Sequence, residues 1–465
     1  MNNSLYKIPF CKTEIEEFLN QIIDSDNTEN SVEFDEILKE IVKTEIKPGS
    51  VILIALPNSK TLVQYYFATL LAGGVPTLLS PSTSSRRIME IANSLGATAI
   101  IAPKLADFVS YCEKNYSIGD FRMSFFNLLN KKIYSPGDVI ILTSGTSGIL
   151  SGCLHNINSL ICNAQRHTKS VNLVESDILL INLPLYYSYA MVAQMLAAFV
   201  RKCRLVISGP PFTPKNYIRL LEKYKITISS ITPLLVKNLL KSNCGIPHSL
   251  KTLTVGGDFL HPTYTQQLLN LYPNLELYLT YGLTEAGPRV ATLAAHNEPV
   301  EKFSSVGLPM EGVEVSLKKL NMDDNFGELI ITSDTILKKK VGRDFKGNPI
   351  VGPNTIATGD LFEIDLDGYL YFKGRISDFI ITNGEKVSLS SIRNLINSLP
   401  GVYKVTTQPY QVEEGEYKYD LNIYIDNEDL YMKEELKKNI YQLLLRNERP
   451  YAIHVYPAQA IQAHK

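Results

Sequence analysis

Four short segments carry side chains suited to a phosphorylated ligand. The apolar run Val139-Ile140-Ile141-Leu142 leads into Thr143-Ser144-Gly145-Thr146-Ser147-Gly148. Glycines let a backbone approach a ligand closely and adopt positive φ. Successive N–H groups then form an anion nest, to which hydroxyls add donors. The string lacks the G-x-x-x-x-G-K-[ST] spacing of a Walker loop. Second is Tyr278-Leu279-Thr280-Tyr281-Gly282-Leu283-Thr284-Glu285-Ala286-Gly287. A glutamate beside a threonine at a strand end can hold magnesium, and the Tyr281 ring can lie against a purine. In the third, Ala357-Thr358-Gly359-Asp360, the aspartate can accept bonds from both ribose hydroxyls. The fourth is Gly374-Arg375-Ile376-Ser377-Asp378. Each alone also has a plainer reading: a solvated Ser/Thr/Gly loop, an exposed loop carboxylate, an Asx turn and a surface charge.

The elements that must position these segments alternate. Residues 51–56 and 75–79 read as strands around a helix at 60–73, and a helix at 84–95 stops at Gly96 before a strand at 98–102. The alternation returns at 177–182, 190–200, 204–208, 215–224, 226–231 and 233–241. Strand–helix–strand order of this kind predicts a parallel sheet with helices on its faces. Beyond residue 300 short strands are separated by turn signals, with Asp367-Gly368 as a hairpin turn. The last stretch carries helices at 388–398 and 430–446 and strands near 403–408 and 419–425, enough for a small α+β domain. The fold class expected is α/β: a large N-terminal part of stacked α/β sheets, a β-rich subdomain and a small C-terminal domain.

The 465-residue chain has 46 basic and 47 acidic residues, without the basic excess expected of a general nucleic-acid binder. Apolar residues make up 45%, ordinary for a globular chain and unlike a disordered one. Cys11, Cys112, Cys153, Cys162, Cys203 and Cys244 lie far apart with no CxxC pair, against a zinc site or disulfide scaffold and suited to a reducing compartment. No signal peptide or membrane-spanning run is evident, so a cytoplasmic enzyme is expected.

Taken together, the four segments resemble in order and spacing the acyl-adenylate-forming superfamily of acyl-CoA synthetases, peptide-synthetase adenylation domains and luciferases. Gly73-Gly74-Val75-Pro76, Val255-Gly256-Gly257-Asp258, Ser305-Val306-Gly307-Leu308-Pro309, Gly327-Glu328-Leu329 and Asp367-Gly368-Tyr369-Leu370 match further blocks of that family. The resemblance implies an acid–thiol ligase. A carboxylate attacks the α-phosphate of ATP, and a thiol of CoA or a phosphopantetheine arm then displaces AMP. It implies that residues 143–148 cradle the β- and γ-phosphates, Thr284 contacts the α-phosphate and Glu285 binds Mg2+. Tyr281 would pack on adenine with Gly256 and Gly257 behind it, and Asp360 would take the ribose with Arg375 nearby. It also implies an adenylation domain over 1–375 and a mobile lid over 376–465, hinged at Ser377 and Asp378.

Three departures from the family pattern stand out. The phosphate loop continues Leu150-Ser151-Gly152 where the family has Pro-Lys-Gly, so a lysine charge is missing. In Pro184-Leu185-Tyr186-Tyr187-Ser188-Tyr189-Ala190, Tyr187 replaces a common histidine. By resemblance the C-terminal catalytic lysine falls at Lys465, after His464 rather than glycine; the alternative is that Lys465 is a tail residue outside the site. Pocket positions by resemblance are Tyr187, Ala190, Met191, Thr280 and Gly282, together with Ile231, Thr232 and Val255; the plainer role of Ile231 and Val255 is core packing. No aspartate lies in Pro184–Met191 to hold an α-amino group. The set suits an aryl, fatty or polyketide-type carboxylic acid. The alternative is a degenerate member serving as partner or scaffold in a carrier-protein pathway; an acyl carrier protein is a candidate partner under either reading. An amine or oxygen acceptor is a third possibility.

Overall fold

The computed structural model describes residues 8–26, 32–103, 112–144, 150–209, 212–242, 244–319, 325–342, 348–382, 385–413, 416–425 and 430–458. Contacts divide the chain into two compact units: Met1–Val315 with Ile331–Ala357, and Ser316–Ile330 with Thr358–Lys465.

Among the described residues the first unit holds three sheets. The largest has eight strands in the order Ile22–Asp24, Arg204–Ile207, Ile178–Ile181, Ile228–Ile231, Thr252–Gly256, Glu276–Gly282, Arg289–Ala294 and Leu308–Pro309. The first six are parallel, and the last two join antiparallel. A second sheet orders Val75–Leu78, Val51–Ile54, Ala99–Pro103, Phe121–Phe126 and Cys112–Ile118. Its first three strands are the parallel set read from the sequence. They are apolar on every residue from Val51 to Ile54 because both faces are covered. The third sheet is antiparallel: Lys339–Gly342, Leu150–Asn156 and Asp138–Ser144.

Local chemistry sets the helix starts. Thr213, Thr232 and His261 stand as N-caps before Pro214, Pro233 and Pro262, each proline in the first turn, where its missing N–H costs nothing. Ser59 accepts a bond from Leu62 N at the start of Lys60–Leu71, and Asn156 accepts one from Asn158 N at the start of Ile157–Ser170. Lys60–Leu71 is apolar nearly all round and lies in the core with Phe10, Phe18 and Ile37. The helix expected over 190–200 is interrupted. Ser188–Ala190 and Ala197–Arg201 flank a π-helical stretch, Met191–Leu196, in which Gln194 donates from Nε2 to Leu180 O at 3.2 Å. Every residue of that stretch is buried, so its apolar pattern has no period from which to read the change of pitch.

In the second unit Thr355–Ile364 pairs antiparallel with Leu370–Arg375. Asp365 Oδ1 accepts from Asp367 N and Tyr369 N at 3.0 and 2.9 Å, which fixes the turn at Asp367-Gly368. Farther on, Val402–Glu413, Glu416–Ile425 and Ala452–Pro457 form a three-stranded sheet. Leu389–Asn397 helps close an apolar core of Ile392, Ile396, Tyr419, Leu421 and Ile440. The first two of these strands run longer than the sequence suggests. Alternating polar residues such as Lys418 and Asp420 hide a continuous hairpin.

Candidate functional site

The parallel strands Ile228–Ile231, Thr252–Gly256 and Glu276–Gly282 end together, and ligands of open α/β sheets bind at such carboxyl ends. Two glycines there keep backbones close. A Cβ on Gly282 would lie 2.1 Å from Pro288 O, and one on Gly256 2.5 Å from Thr280 Oγ1. Thr280 is buried and donates to Val255 O at 3.1 Å. The chain then turns through Thr284–Ala286, which carries the expected threonine and glutamate.

Both residues are tightly held. Thr284 Oγ1 lies 2.9 Å from Ser188 Oγ. Its carbonyl is 2.8 Å from His155 Nε2, so that nitrogen carries the proton. His155 is fully buried and its pKa is pushed down to about 4, mainly by desolvation, so the ring is neutral at neutral pH. Glu285 Oε1 sits 2.6 Å from Lys340 Nζ, with side-chain exposures of 20% and 10%. Lys340 also donates to Cys153 Sγ at 3.5 Å. Burial alone would lower the Lys340 pKa; Cys153 and Glu285 outweigh it and leave it raised. Desolvation raises the pKa of the Cys153 thiol. A backbone bond from Leu337 N to Glu285 O at 2.9 Å and a side-chain bond from Thr335 Oγ1 to Ala286 O at 3.0 Å fix the pairing.

Lys340 is the residue the sequence reading missed. It stands opposite Cys153 on the strand that also contains Ser151, which faces Gly342 in the same register. Ser151 and Cys153 share one face of their strand. A cation therefore sits two register positions from the place where the family's lysine is absent. Ser151 itself is buried, and its Oγ lies 3.0 Å from Thr143 Oγ1. Gly145, Thr146, Ser147, Gly148 and Lys465 lie outside the described residues; Ser144 ends the strand Asp138–Ser144.

Of the pocket positions, Ala190 and Met191 are buried, while Tyr187 is about half exposed against Tyr186, ring centroids 4.6 Å apart. Burial raises the Tyr187 phenol, with Tyr186 adding to the shift. Tyr281 and Gly282 are partly buried, and Gly257 is exposed with φ +89°. In the second unit Asp360 and Arg375 are register partners, with Arg375 Nε 3.2 Å from Asp360 Oδ1. Asp360 is buried and Arg375 largely exposed. Gly359 N donates to Glu328 Oε1 and Thr358 Oγ1 to Leu329 O, anchoring the turn before the aspartate. Ser377 and Asp378 follow in a short 3₁₀ turn, and Asp378 Oδ2 pairs with Arg393 Nη2 at 2.5 Å.

The chain belongs to the AMP-binding enzyme family, whose model matches residues 40–339. Membership bears out the resemblance drawn from the motifs and the reading of the chain as an AMP-forming acid–thiol ligase. It is 24% identical over 406 residues to 4-coumarate–CoA ligase 2 of Nicotiana tabacum, covering 80% of this chain and 75% of that one. To 2-succinylbenzoate–CoA ligase of Staphylococcus epidermidis it is 28% identical over 265 residues, covering 57% and 54%. Its fold matches o-succinylbenzoate CoA synthetase (MenE) from Bacillus subtilis, solved with an acyl-adenylate intermediate, at TM-score 0.77 and 17% identity over 95% of this chain and 94% of that one. The anthranilate CoA ligase AuaEII, solved with anthranoyl-AMP, gives 0.76 at 15% identity, covering 97% and 95%. The α/β class expected from the strand–helix alternation is thus the observed one. Among the described residues no helix is long and apolar enough to cross a membrane.

Proposed function

We propose that the chain activates a carboxylic acid with ATP·Mg2+ as an acyl-AMP and passes the acyl group to the thiol of CoA or of a carrier-protein phosphopantetheine. The acid is of the aryl, fatty or polyketide type. In the first step a carboxylate oxygen bonds to the α-phosphorus, and the bond to the bridging oxygen breaks with its electron pair leaving on pyrophosphate. In the second the thiol sulfur bonds to the acyl carbon and AMP leaves. Such chemistry needs positioned donors more than covalent groups. The supporting observation is the Thr284–Glu285 turn, fixed by Ser188, His155 and Lys340 at the strand ends. A lone carboxylate suits magnesium, which keeps waters and takes its remaining ligands from substrate phosphates. Lys340 aligns Glu285 and supplies the positive charge that Ser151 does not. This removes one argument for a degenerate scaffold. Asp360 with Arg375 takes the ribose, Tyr281 takes the adenine, residues 143–148 take the outer phosphates and Lys465 reaches the α-phosphate. The stretch 376–465 closes as a lid about Ser377 and Asp378.

The test is carboxylate-dependent exchange of labelled pyrophosphate into ATP over a panel of aryl and fatty acids. Exchange with at least one acid is expected, as is loss in Glu285→Ala of the thermal stabilisation given by ATP and magnesium. No exchange with any acid, together with ATP·Mg2+ stabilisation unchanged in Glu285→Ala, overturns the proposal.

A further inference from the structure

Arg289 opens the strand that follows the Thr284–Glu285 turn, and its register partner is Gly282, a pocket position. Its side chain is only 3% exposed. The backbone is pinned by Asn163, whose Oδ1 accepts from Arg289 N and whose Nδ2 donates to Arg289 O, both at 2.9 Å. The guanidinium lies over the Tyr189 ring, 4.7 Å from its centroid. Nε and Nη2 are buried and have no hydrogen-bond partner among the described residues. Arginine keeps its charge in proteins, so this is a buried cation with two idle donors. Burial lowers its pKa, Tyr189 opposes the shift, and among the described residues no carboxylate contributes. Such a group is strongly unfavourable unless an anion completes it.

Tyr189 ties the arginine to the carboxyl ends of the parallel strands. Its hydroxyl is 2.9 Å from Thr254 Oγ1, which donates to Ser230 Oγ at 2.8 Å. Its ring edge is 3.4 Å from where a Gly256 Cβ would stand. Its neighbour Ser188 touches Thr284. The planar Nε/Nη2 edge of a guanidinium matches the two oxygens of a carboxylate. We infer that Arg289 is a specificity residue whose idle donors receive a second carboxylate on the acyl substrate, so that the preferred acids are dianionic. This rests on the adenylation reading and names its substrate class.

Matched acids test it: 2-succinylbenzoate against 4-oxo-4-phenylbutanoate, 4-carboxycinnamate against cinnamate, and adipate against hexanoate. In pyrophosphate exchange by the wild-type chain, the dianion of at least one pair is expected to exceed its partner in kcat/KM by roughly 10²-fold or more, because a site built to pair a polar group rejects analogues lacking it. Arg289→Leu should erase that preference by lowering the dianion's kcat/KM, and Arg289→Lys should recover part of it. Equal or better exchange of the monoanionic partner in every pair overturns the inference and leaves adenylation standing. This arm uses only the wild type and is decisive even if the variants do not fold. If no acid is exchanged, thermal stabilisation by the same six acids decides. Dianion-selective stabilisation supports the Arg289 site while adenylation fails, and its absence overturns both.

Discussion

Lys340 and Arg289 are two shielded cations on either side of one short turn, and they are treated in opposite ways. Lys340 Nζ lies 2.6 Å from a carboxylate and 3.5 Å from a sulfur. Arg289 offers its charge to an aromatic face and leaves two nitrogens idle. A shielded charge already paired is a fixed feature of the folded chain and sets the field around the turn. One left unpaired costs stability until something binds to it. On the proposed function, the first orients the metal-binding carboxylate and the second reads the acid.

The largest effect should come from breaking the satisfied pair. Lys340→Met leaves Glu285 shielded without its counter-charge, and removing one partner of a buried pair costs about 3–5 kcal/mol. Pyrophosphate exchange should then fall by about 10²-fold, the scale of losing one aligned charged donor. Glu285→Gln with Lys340→Met should be less damaging to stability than Lys340→Met alone, because no unpaired charge remains. Thermal melts of the three variants check the second statement and initial exchange rates the first. A Lys340→Met chain with wild-type exchange would remove Lys340 from the site.

Restoring the family's lysine sharpens the same comparison. If Lys340 supplies the missing charge, Ser151→Lys in the Lys340→Met background should regain about tenfold or more in exchange rate. In the wild-type background it should gain nothing, since two cations would then sit two register positions apart. A gain of similar size in both backgrounds would mean that the two positions act independently.

What the sequence revealed follows the reach of each signal. Thr284, Glu285, Asp360 and Arg375 could be singled out in the sequence because each lies in a short run with fixed neighbours, and the fold sets those runs at a strand end or in a hairpin. The parallel strands Val51–Ile54 and Ile178–Ile181 were legible from unbroken apolar runs. Lys340 was not. It belongs to Lys338-Lys339-Lys340, a charge run that reads as a solvated surface, and only the pairing of Lys339–Gly342 with Leu150–Asn156 turns its third member inward. Arg289 follows a proline and carries no local mark; its burial is a property of the helix Ile157–Ser170 and the Tyr189 ring brought against it. The hairpin Val402–Glu413 with Glu416–Ile425 was half seen, since its exposed face alternates with polar residues.

A smaller effect should follow Tyr189→Phe. The ring remains over Arg289, but Thr254 Oγ1 loses one partner while keeping Ser230. A net loss of about 1 kcal/mol in unfolding free energy is expected, the usual scale for one buried neutral bond. Denaturant titration measures it. A cost several times larger would mean that the hydroxyl also orders the arginine.

The last effect is set by pH and reports on Arg289 from a distance. His167 is fully buried, and its pKa is pushed down to about 3 by desolvation first and then by Arg289; His155 lies at about 4. Both titrate near 6.5 once unfolded, so their contribution to stability is fully present above that value. It is lost as pH falls from 6.5 towards 4 and 3, because the unfolded chain binds protons the folded chain refuses. Each histidine should steepen the loss by up to about 1.4 kcal/mol per pH unit within that window. Urea midpoints at pH 6.5 and 5.5 for the wild type and His167→Gln measure the difference, above the range where carboxylates titrate. With Arg289→Leu the desolvation of His167 remains and the repulsion disappears. Its folded pKa should therefore rise and the window shorten at its acid end, while the slope between pH 6.5 and 5.5 changes little. A slope that collapses in Arg289→Leu would mean that the arginine's charge, rather than burial, keeps His167 neutral.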